Sequence, residues 1–212
     1  MEIWTNGMME ETSVVHHLYV WMRNAWIRKY QAALSVSNSR AKAKWQKTPL
    51  GANKINVDGA FQVHTGIGGG GIIARYSAGC FVAARACKFN HVASPEHAET
   101  LALREALLFA QDFGPVPKMI EKIHARGVLQ SIQDTMEDRS QLSCLFSDCK
   151  FLLSQLENVS IQFDYRETNQ AAHRLARLAL TLPETTSWLQ DPPDAVCDVL
   201  VEDSMQSLIY SQ

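Results

Sequence analysis

Two carboxylates stand at positions where they could do chemistry. Asp58 lies in the middle of "KINVDGAF", whose apolar residues are typical of a buried strand. A carboxylate in a core is costly unless it has a partner, and a metal ion is the first candidate. Glu99 lies in the first turn of the helix predicted for "SPEHAETLALREALLFAQDFG". For Glu99 alone, an acid favoured by the helix dipole is the simpler explanation.

The segments around these acids predict one α/β domain. Three β-rich runs joined by short turns begin at Lys54 and indicate an antiparallel meander. In the helix that follows, Ser94 can serve as the cap and Pro95 suits the first turn. The complete predicted order is β-β-β-α-β-α-α-β-α, which implies a mixed sheet with helices packed on it.

The glycine-rich stretch "GIGGGG" is expected to form a turn that opens the second strand. A phosphate-binding P-loop needs Lys and Ser or Thr after its last glycine and then a helix. Here an apolar strand, "IIARY", follows instead. We therefore interpret Gly66 and Gly68–Gly71 as turn and bulge residues.

Composition narrows the class of protein. Hydrophobic residues make up 46% of the 212 residues, and the net charge is −2, which argues against binding of a polyanion by bulk charge. The five cysteines include no CxxC pair, so reduced thiols are expected. Neither a signal peptide nor a membrane span is evident. We expect a soluble intracellular protein, with nucleus and cytoplasm unresolved.

The distribution of charge suggests three parts. Residues 1–44 carry six basic and three acidic side chains and are predicted to be a helical extension and a linker. Residues 45–181 form the predicted domain. Residues 182–212 carry six acids and no lysine or arginine, which marks them as an acidic tail.

Several separated blocks resemble the plant RNase H-like domain, which occurs alone or after reverse transcriptases of non-LTR retrotransposons. The blocks are "KINVDGAF", "GIGGGGIIAR", "HAETLALREAL" and "FDYRETNQAAHRLARLA", in that order. The resemblance covers roughly residues 45–181. It implies an RNase H-like fold with a five-stranded mixed sheet, three antiparallel strands and then parallel strands, flanked by helices.

The resemblance also implies an activity, which is endonucleolytic cleavage of the RNA in an RNA–DNA hybrid. The family's chemistry is two-metal hydrolysis with Mg²⁺ (or Mn²⁺), in which clustered carboxylates supply hard oxygen ligands. By this resemblance Asp58 would bridge both ions, and Glu99 would hold one of them. The expected partner is an RNA–DNA hybrid or another nucleic acid.

The sequence departs from the family at two acidic positions. The third acid of the family falls on His124 here, and the fourth falls on His173. Glu121 does not replace the third acid, because strand side chains alternate and 121 differs from 124 by an odd number. The predicted catalytic cluster is therefore Asp58, Glu99, His124 and His173.

Two interpretations of this altered cluster remain open. An Asp/Glu/His/His set could bind one transition-metal ion, since imidazole is softer than carboxylate. The interpretation that we favour is a relaxed site in which both histidines hydrogen-bond to Asp58 and Glu99. Two carboxylates also attract two divalent ions more weakly than four would. A weakened ribonuclease, a non-catalytic nucleic-acid-binding module and an inactive domesticated retroelement remnant are thus the functions to distinguish.

Nucleic-acid contacts are expected from the first strand, the turn after Gly66 and several arginines, since backbone and 2′-hydroxyl groups of a hybrid could approach there. The predicted contacts are Asn56, Gly59, Ala60, Arg75 and Arg166, with Arg174 as a further candidate phosphate contact. For each arginine, a solvated or salt-bridged surface position is the competing explanation. Asn169 is predicted to cap the last helix.

Overall fold

A computed structural model describes residues 45–46, 48–113, 118–122, 140–163 and 168–209. The helix predicted within residues 14–34, the helix predicted for "RGVLQSIQDTM", and the candidate site residues His124 and Arg166 lie outside the described residues. All statements below concern the described part of the chain.

Six strands form one mixed sheet in the described residues. Their bounds are β1 Asn53–Gln62, β2 Ile67–Arg75, β3 Phe81–Phe89, β4 Lys118–Lys122, β5 Val159–Phe163 and β6 Thr186–Leu189. The spatial order is β5-β4-β1-β2-β3-β6. Strands β1, β2, β3 and β6 pair antiparallel, whereas β4 pairs parallel with both β1 and β5. Strand β1 is therefore central, with an antiparallel neighbour on one side and a parallel neighbour on the other.

Four helices belong to the described residues. They are α1 Pro95–Gln111, α2 Ser143–Ser154, α3 Gln170–Ala179 and α4 Asp194–Ile209. Helix α1 contacts β1 at Gly59, whereas α3 contacts β2 at Gly71, which pairs with Asp58. Because successive strand residues face opposite sides of a sheet, α1 and α3 pack on opposite faces. Asp58 thus belongs to the face that α3 covers.

The main apolar core lies between the sheet and helices α1 and α2. Ile55, Val57 and Ile72 from the strands are fully buried there with Leu103 and Leu107 of α1. The start of α1 follows the prediction, since the Ser94 hydroxyl accepts a hydrogen bond from the backbone N–H of His97 at 3.1 Å. The face that α3 covers also buries apolar side chains, among them Ile73 and Leu175, together with the polar side chains of Asn56 and Asp58.

The glycine-rich stretch differs from the prediction. Gly68–Gly71 lie inside strand β2, and only Gly66, with φ +63°, belongs to the turn before it. A Cβ on Gly71 would lie 2.0 Å from the carbonyl oxygen of Ala172, and a Cβ on Gly69 would lie 2.1 Å from that of Ala176. These glycines are required because the backbone of α3 sits directly on the strand, which a sequence pattern of turn residues does not reveal.

The predicted RNase H-like architecture is present, with one more strand than expected. The additional strand, β6, comes from residues assigned to the acidic tail, and it pairs with β3 from Ala83 to Ala86. The boundary drawn at residue 181 stays a prediction. Among the residues that the structure describes, no helix has the length and apolar character needed to cross a membrane.

Candidate functional site

Asp58 is a buried carboxylate in the centre of the sheet. It lies on β1 between Val57 and Gly59, opposite Gly71 of β2, and only 3% of the residue is exposed. The glycine opposite has no side chain, which leaves room for the helix α3 to approach. The carboxylate therefore faces α3 and needs a polar partner from that helix.

His173 supplies this partner. Its Nδ1 atom lies 2.7 Å from Oδ2 of Asp58, and its side chain is 20% exposed against 5% for Asp58. An ionised carboxylate only accepts hydrogen bonds, so the ring nitrogen that faces it is the donor. The contact therefore joins the central strand β1 to helix α3.

Glu99 reaches the same region from the opposite face of the sheet. Its backbone lies against Gly59, where a Cβ would be 2.7 Å from Cα of Glu99 and 2.8 Å from its nitrogen. Helix α1 can start here only because residue 59 has no side chain. The structure thus places the first turn of α1 beside the residue that follows Asp58, and Glu99 itself is half-buried.

Asn169 does not act as the predicted cap. It occupies the N-cap position of α3, but its side chain makes no capping hydrogen bond. Its Nδ2 atom instead donates to the carbonyl oxygen of Val57 at 2.8 Å. The residue is fully buried, and no described residue donates a hydrogen bond to its Oδ1 atom. Asn169 thus bonds to a residue 112 positions away in the chain instead of making the local capping bond.

A metal centre requires more ligands than the described residues provide. They contain no group of three or more His, Cys, Asp or Glu side chains placed to hold a metal ion. Of the predicted cluster, Asp58 and His173 are in contact, Glu99 lies in the adjoining turn, and His124 is outside the described residues. The described side chains therefore do not by themselves fit a two-metal site.

The side chains of two predicted nucleic-acid contacts, Arg75 and Asn56, are buried within the protein. Both residues have 0% exposure. The Arg75 guanidinium is 2.6 Å from Asp203 of α4 and 2.8 Å from Oδ1 of Asn56, and it stacks on the ring of Trp45 at 4.1 Å. Asn56 also accepts from the Trp45 indole N–H at 3.1 Å. These contacts hold together the sheet, the segment before β1 that contains Trp45, and the C-terminal helix α4.

Asp203 was not recognised in the sequence, where it is one acid among six in an apparent tail. Burial raises the pKa of its carboxyl group, and the nearby Arg75 and Lys54 oppose that rise. Its contact with Arg75 spans 128 positions. No local pattern could have identified the pair, because an isolated arginine at a strand end looks like a surface residue.

The remaining predicted contacts are partly accessible. Gly59 and Ala60 are half-buried at the point where β1 continues beyond Asp58. Arg174 is 42% exposed, and its guanidinium bonds Asp198 of α4 at 2.6 Å and the carbonyl of Ala195 at 3.3 Å. Arg174 therefore belongs to a surface ion pair in this structure. Near Asp58, the accessible features are the backbone after it and the outer edge of His173.

Comparison with known proteins identifies the domain. A family model described as reverse transcriptase-like matches residues 56–179, which is more than half of the chain. The chain belongs to this RNase H-like family. The matched range begins two residues before Asp58 and ends with the last residue of α3, so it includes both members of the Asp58–His173 pair.

The relatives of this RNase H-like domain are consistent with the fold described above. A candidate ribonuclease H protein of Arabidopsis thaliana is 26% identical over 163 residues, which cover 77% of this chain but only about a quarter (26%) of that relative. RNase H1 of the archaeon Halobacterium salinarum superposes with a TM-score of 0.56 at 26% identity, covering 62% of this chain and 98% of its own.

A complex of LC11-RNase H1, an enzyme isolated from compost, with an RNA/DNA hybrid has a TM-score of 0.54 at 19% identity. It covers 61% of this chain and 96% of that one. At this identity the comparison supports the shared fold alone.

Proposed function

We propose that this domain binds RNA–DNA hybrids and cleaves their RNA strand weakly at most. The observation that carries the proposal is the 2.7 Å contact between His173 and Asp58, set in an RNase H-like sheet. The family membership supports the substrate class, and the contact supports the weakening.

His173 changes the charge beside Asp58. The resemblance assigns an acid to this position, and an acid would add negative charge beside Asp58. An imidazole there is neutral or positive, so the field that attracts a divalent cation is weaker. One oxygen of Asp58 is also engaged by Nδ1 of His173. A cation that used this oxygen would have to displace a charge-assisted hydrogen bond, which is among the stronger kinds.

Hybrid contact is proposed at the accessible part of β1, at Gly59 and Ala60. Both residues have small or no side chains and are half-buried, so backbone groups can approach a phosphate or a 2′-hydroxyl there. Arg174, the residue after His173, is the described candidate for a phosphate contact. Its guanidinium would exchange its bond to Asp198 for a bond to the phosphate. Arg75 is fully buried, so it is not part of this proposed contact.

A non-catalytic binding module is the second candidate function. It is favoured by the described residues, which contain no group of three metal-binding side chains. The two functions share the same surface and differ only in hydrolysis. Any residual cleavage is expected to require added Mg²⁺ or Mn²⁺, which the family's chemistry uses.

The test measures binding and cleavage on the same labelled substrate. Wild-type protein is titrated with an RNA–DNA hybrid and with the matching DNA duplex at several salt concentrations, and product formation is then followed in Mg²⁺ and in Mn²⁺. We expect preferential hybrid binding that weakens as salt rises. Weak cleavage that is lost in Asp58→Asn would establish the ribonuclease, and binding without cleavage would establish the module.

The proposal fails if the protein shows no preference for the hybrid over the duplex. It also fails if wild-type cleavage is as fast as that of a variant carrying both His124→Asp and His173→Asp, because the histidines would then not limit the reaction. Arg75→Met is not a suitable control here, since that residue is structural. Arg174→Ala is suitable, and its effect on affinity reports the phosphate contact directly.

A further inference from the structure

We infer that Asn169 is a positioning residue that holds Asp58 and His173 in contact. The inference rests on the proposed function for its biological meaning, because Asp58 and His173 form the site proposed above. Its physical content is independent of hybrid binding. Asn169 would not touch the substrate; it acts through the strand that carries Asp58.

The side chain of Asn169 bonds to strand β1 and not to its own helix. Its Nδ2 atom donates to the carbonyl oxygen of Val57 at 2.8 Å, and Val57 immediately precedes Asp58. Asparagine at an N-cap position ordinarily bonds to the free N–H groups of its own helix. Asn169 stands at that position and makes no such bond. The side chain is therefore committed to the strand and not to its helix.

The spacing of Asn169 and His173 places both on the same side of α3. Asn169 and His173 are four residues apart, and the backbone N–H of His173 bonds to the carbonyl of Asn169 at 3.1 Å. Residues at this spacing lie on one face of a helix. The start of α3 thus bonds to two consecutive residues of β1. Asn169 bonds to the backbone of Val57, and His173 bonds to the side chain of Asp58.

Asn169 binds β1 at the residue that precedes Asp58. Val57 pairs with Ile72 of β2 and with Lys122 of β4, so its backbone lies between two neighbouring strands. A bond at this point restrains the strand just where Asp58 follows.

Asn169 is completely buried, and its Oδ1 atom accepts no hydrogen bond from the residues that the structure describes. A buried acceptor without a partner is destabilising. If the residue only filled the core, leucine would serve without an unpaired acceptor. If it only capped the helix, its side chain would bond to α3. Holding the carbonyl of Val57 is the role that the geometry leaves.

The test uses the His173 imidazole as the reporter. In wild-type protein we expect the Nδ1-bound proton of His173 to be visible in nitrogen-edited NMR spectra, since Asp58 holds it. In Asn169→Ala and in the near-isosteric Asn169→Asp, neither of which can donate to Val57, we expect this signal to be lost through exchange with water. Far-UV circular dichroism reports that the variants remain folded.

The matched control is Thr48→Val. Thr48 is also buried, and its hydroxyl donates to a backbone carbonyl, that of Ala52, at 2.9 Å. This variant loses a similar bond that does not involve α3 or β1, and it should keep the His173 signal. If the signal persists in the folded Asn169 variants, or disappears equally in Thr48→Val, the positioning role is wrong.

A reciprocal measurement covers the outcome in which neither Asn169 variant folds. His173→Gln keeps a side-chain N–H donor that can face the buried Asp58 carboxylate, so this variant should fold. We expect the side-chain amide signals of Asn169 to shift in that variant, and unchanged signals would overturn the inference. Failure of hybrid binding in wild-type protein would refute the proposed function while leaving these spectra interpretable.

Discussion

Asp58 and His173 meet at 2.7 Å although 115 positions of the chain separate them. The carboxylate comes from the central strand and the imidazole from the helix that covers it. Their contact depends on Gly71, which faces Asp58 across the strands and admits the helix α3. The predictions below begin from this arrangement.

Replacing His173 with Asp should create a cation-dependent stability. Two carboxylates would then face each other in a largely buried place, and their repulsion should lower the melting temperature relative to wild type in the presence of a chelator. Added Mg²⁺ should recover part of this loss, because a cation bound only by the folded state stabilises it.

Thermal unfolding with and without Mg²⁺ measures the effect, and His173→Asn is the control. The asparagine variant should show no comparable response to Mg²⁺. Equal responses of the two variants would mean that residue 173 does not face a cation-binding position.

Gly71→Ala should be strongly destabilising. A methyl group there would lie 2.0 Å from the carbonyl oxygen of Ala172 and 2.3 Å from the nitrogen of Ala176. Both are helix backbone atoms, so the whole helix would have to shift, and we expect a loss of at least about 3 kcal/mol, the upper part of the range for overpacked cores. Urea unfolding gives the value.

Gly68→Ala is the matched control on the same strand. The added methyl group would meet Cγ2 of Val92 at 2.7 Å, which is a side-chain atom, with Phe89 next at 3.4 Å. Side chains adjust more easily than a helix backbone, so the loss should be clearly smaller. Equal losses at the two positions would contradict the direct helix–strand contact.

Arg75→Ala should cost far more stability than Arg174→Ala, although both arginines bond an aspartate of α4 at 2.6 Å. Arg75 is fully buried, and its loss leaves Asp203 without its charge partner, which costs about 3–5 kcal/mol in comparable pairs. Arg174 and Asp198 are each more than 40% exposed, so that pair should contribute less than about 1 kcal/mol.

The comparison can be made by chemical denaturation of the two single variants. The double variant Arg75→Met with Asp203→Leu should recover much of the loss, because it removes both buried charges. If Arg75→Ala and Arg174→Ala were equally mild, Asp203 would have to find another partner in the folded protein.

Cys87 should resist alkylation in the folded protein, whereas Cys144 should react. Burial raises the pKa of the Cys87 thiol to about 12, with Glu105 adding to the rise and Arg85 opposing it. The reactive thiolate is therefore scarce at pH 8. Cys144 is exposed on α2. Iodoacetamide labelling and peptide mass mapping should show modification of Cys144 first and of Cys87 only in denaturant.

The same shift predicts a dependence of stability on pH. The folded protein keeps the Cys87 proton above pH 9.0, where the unfolded chain releases it. This contribution is complete below about pH 9.0 and is lost as the pH rises toward 12. Cys87→Ala should remove that part of the alkaline decline. An identical decline in wild type and variant would contradict the assignment.

Much of the fold could be predicted from the sequence by itself. Apolar runs located β1, the C-terminal half of β2, β3 and α1, and the Ser94–Pro95 start of α1 was predicted correctly. These features depend on neighbours in the chain, which a local pattern records. The family blocks also indicated that Asp58 and the helix carrying His173 belong to one site.

Only the tertiary structure decided which polar side chains face the interior and which partners they have. Arg75 and Asn56 looked like surface contacts, yet both are buried with Trp45 and Asp203, and Asn169 bonds across to Val57 instead of capping its helix. Gly69 and Gly71 of β2 are explained only by the backbone of α3 that lies on them. Burial and hydrogen bonding between distant segments depend on how the elements pack, and chain-local spacing carries no record of that packing.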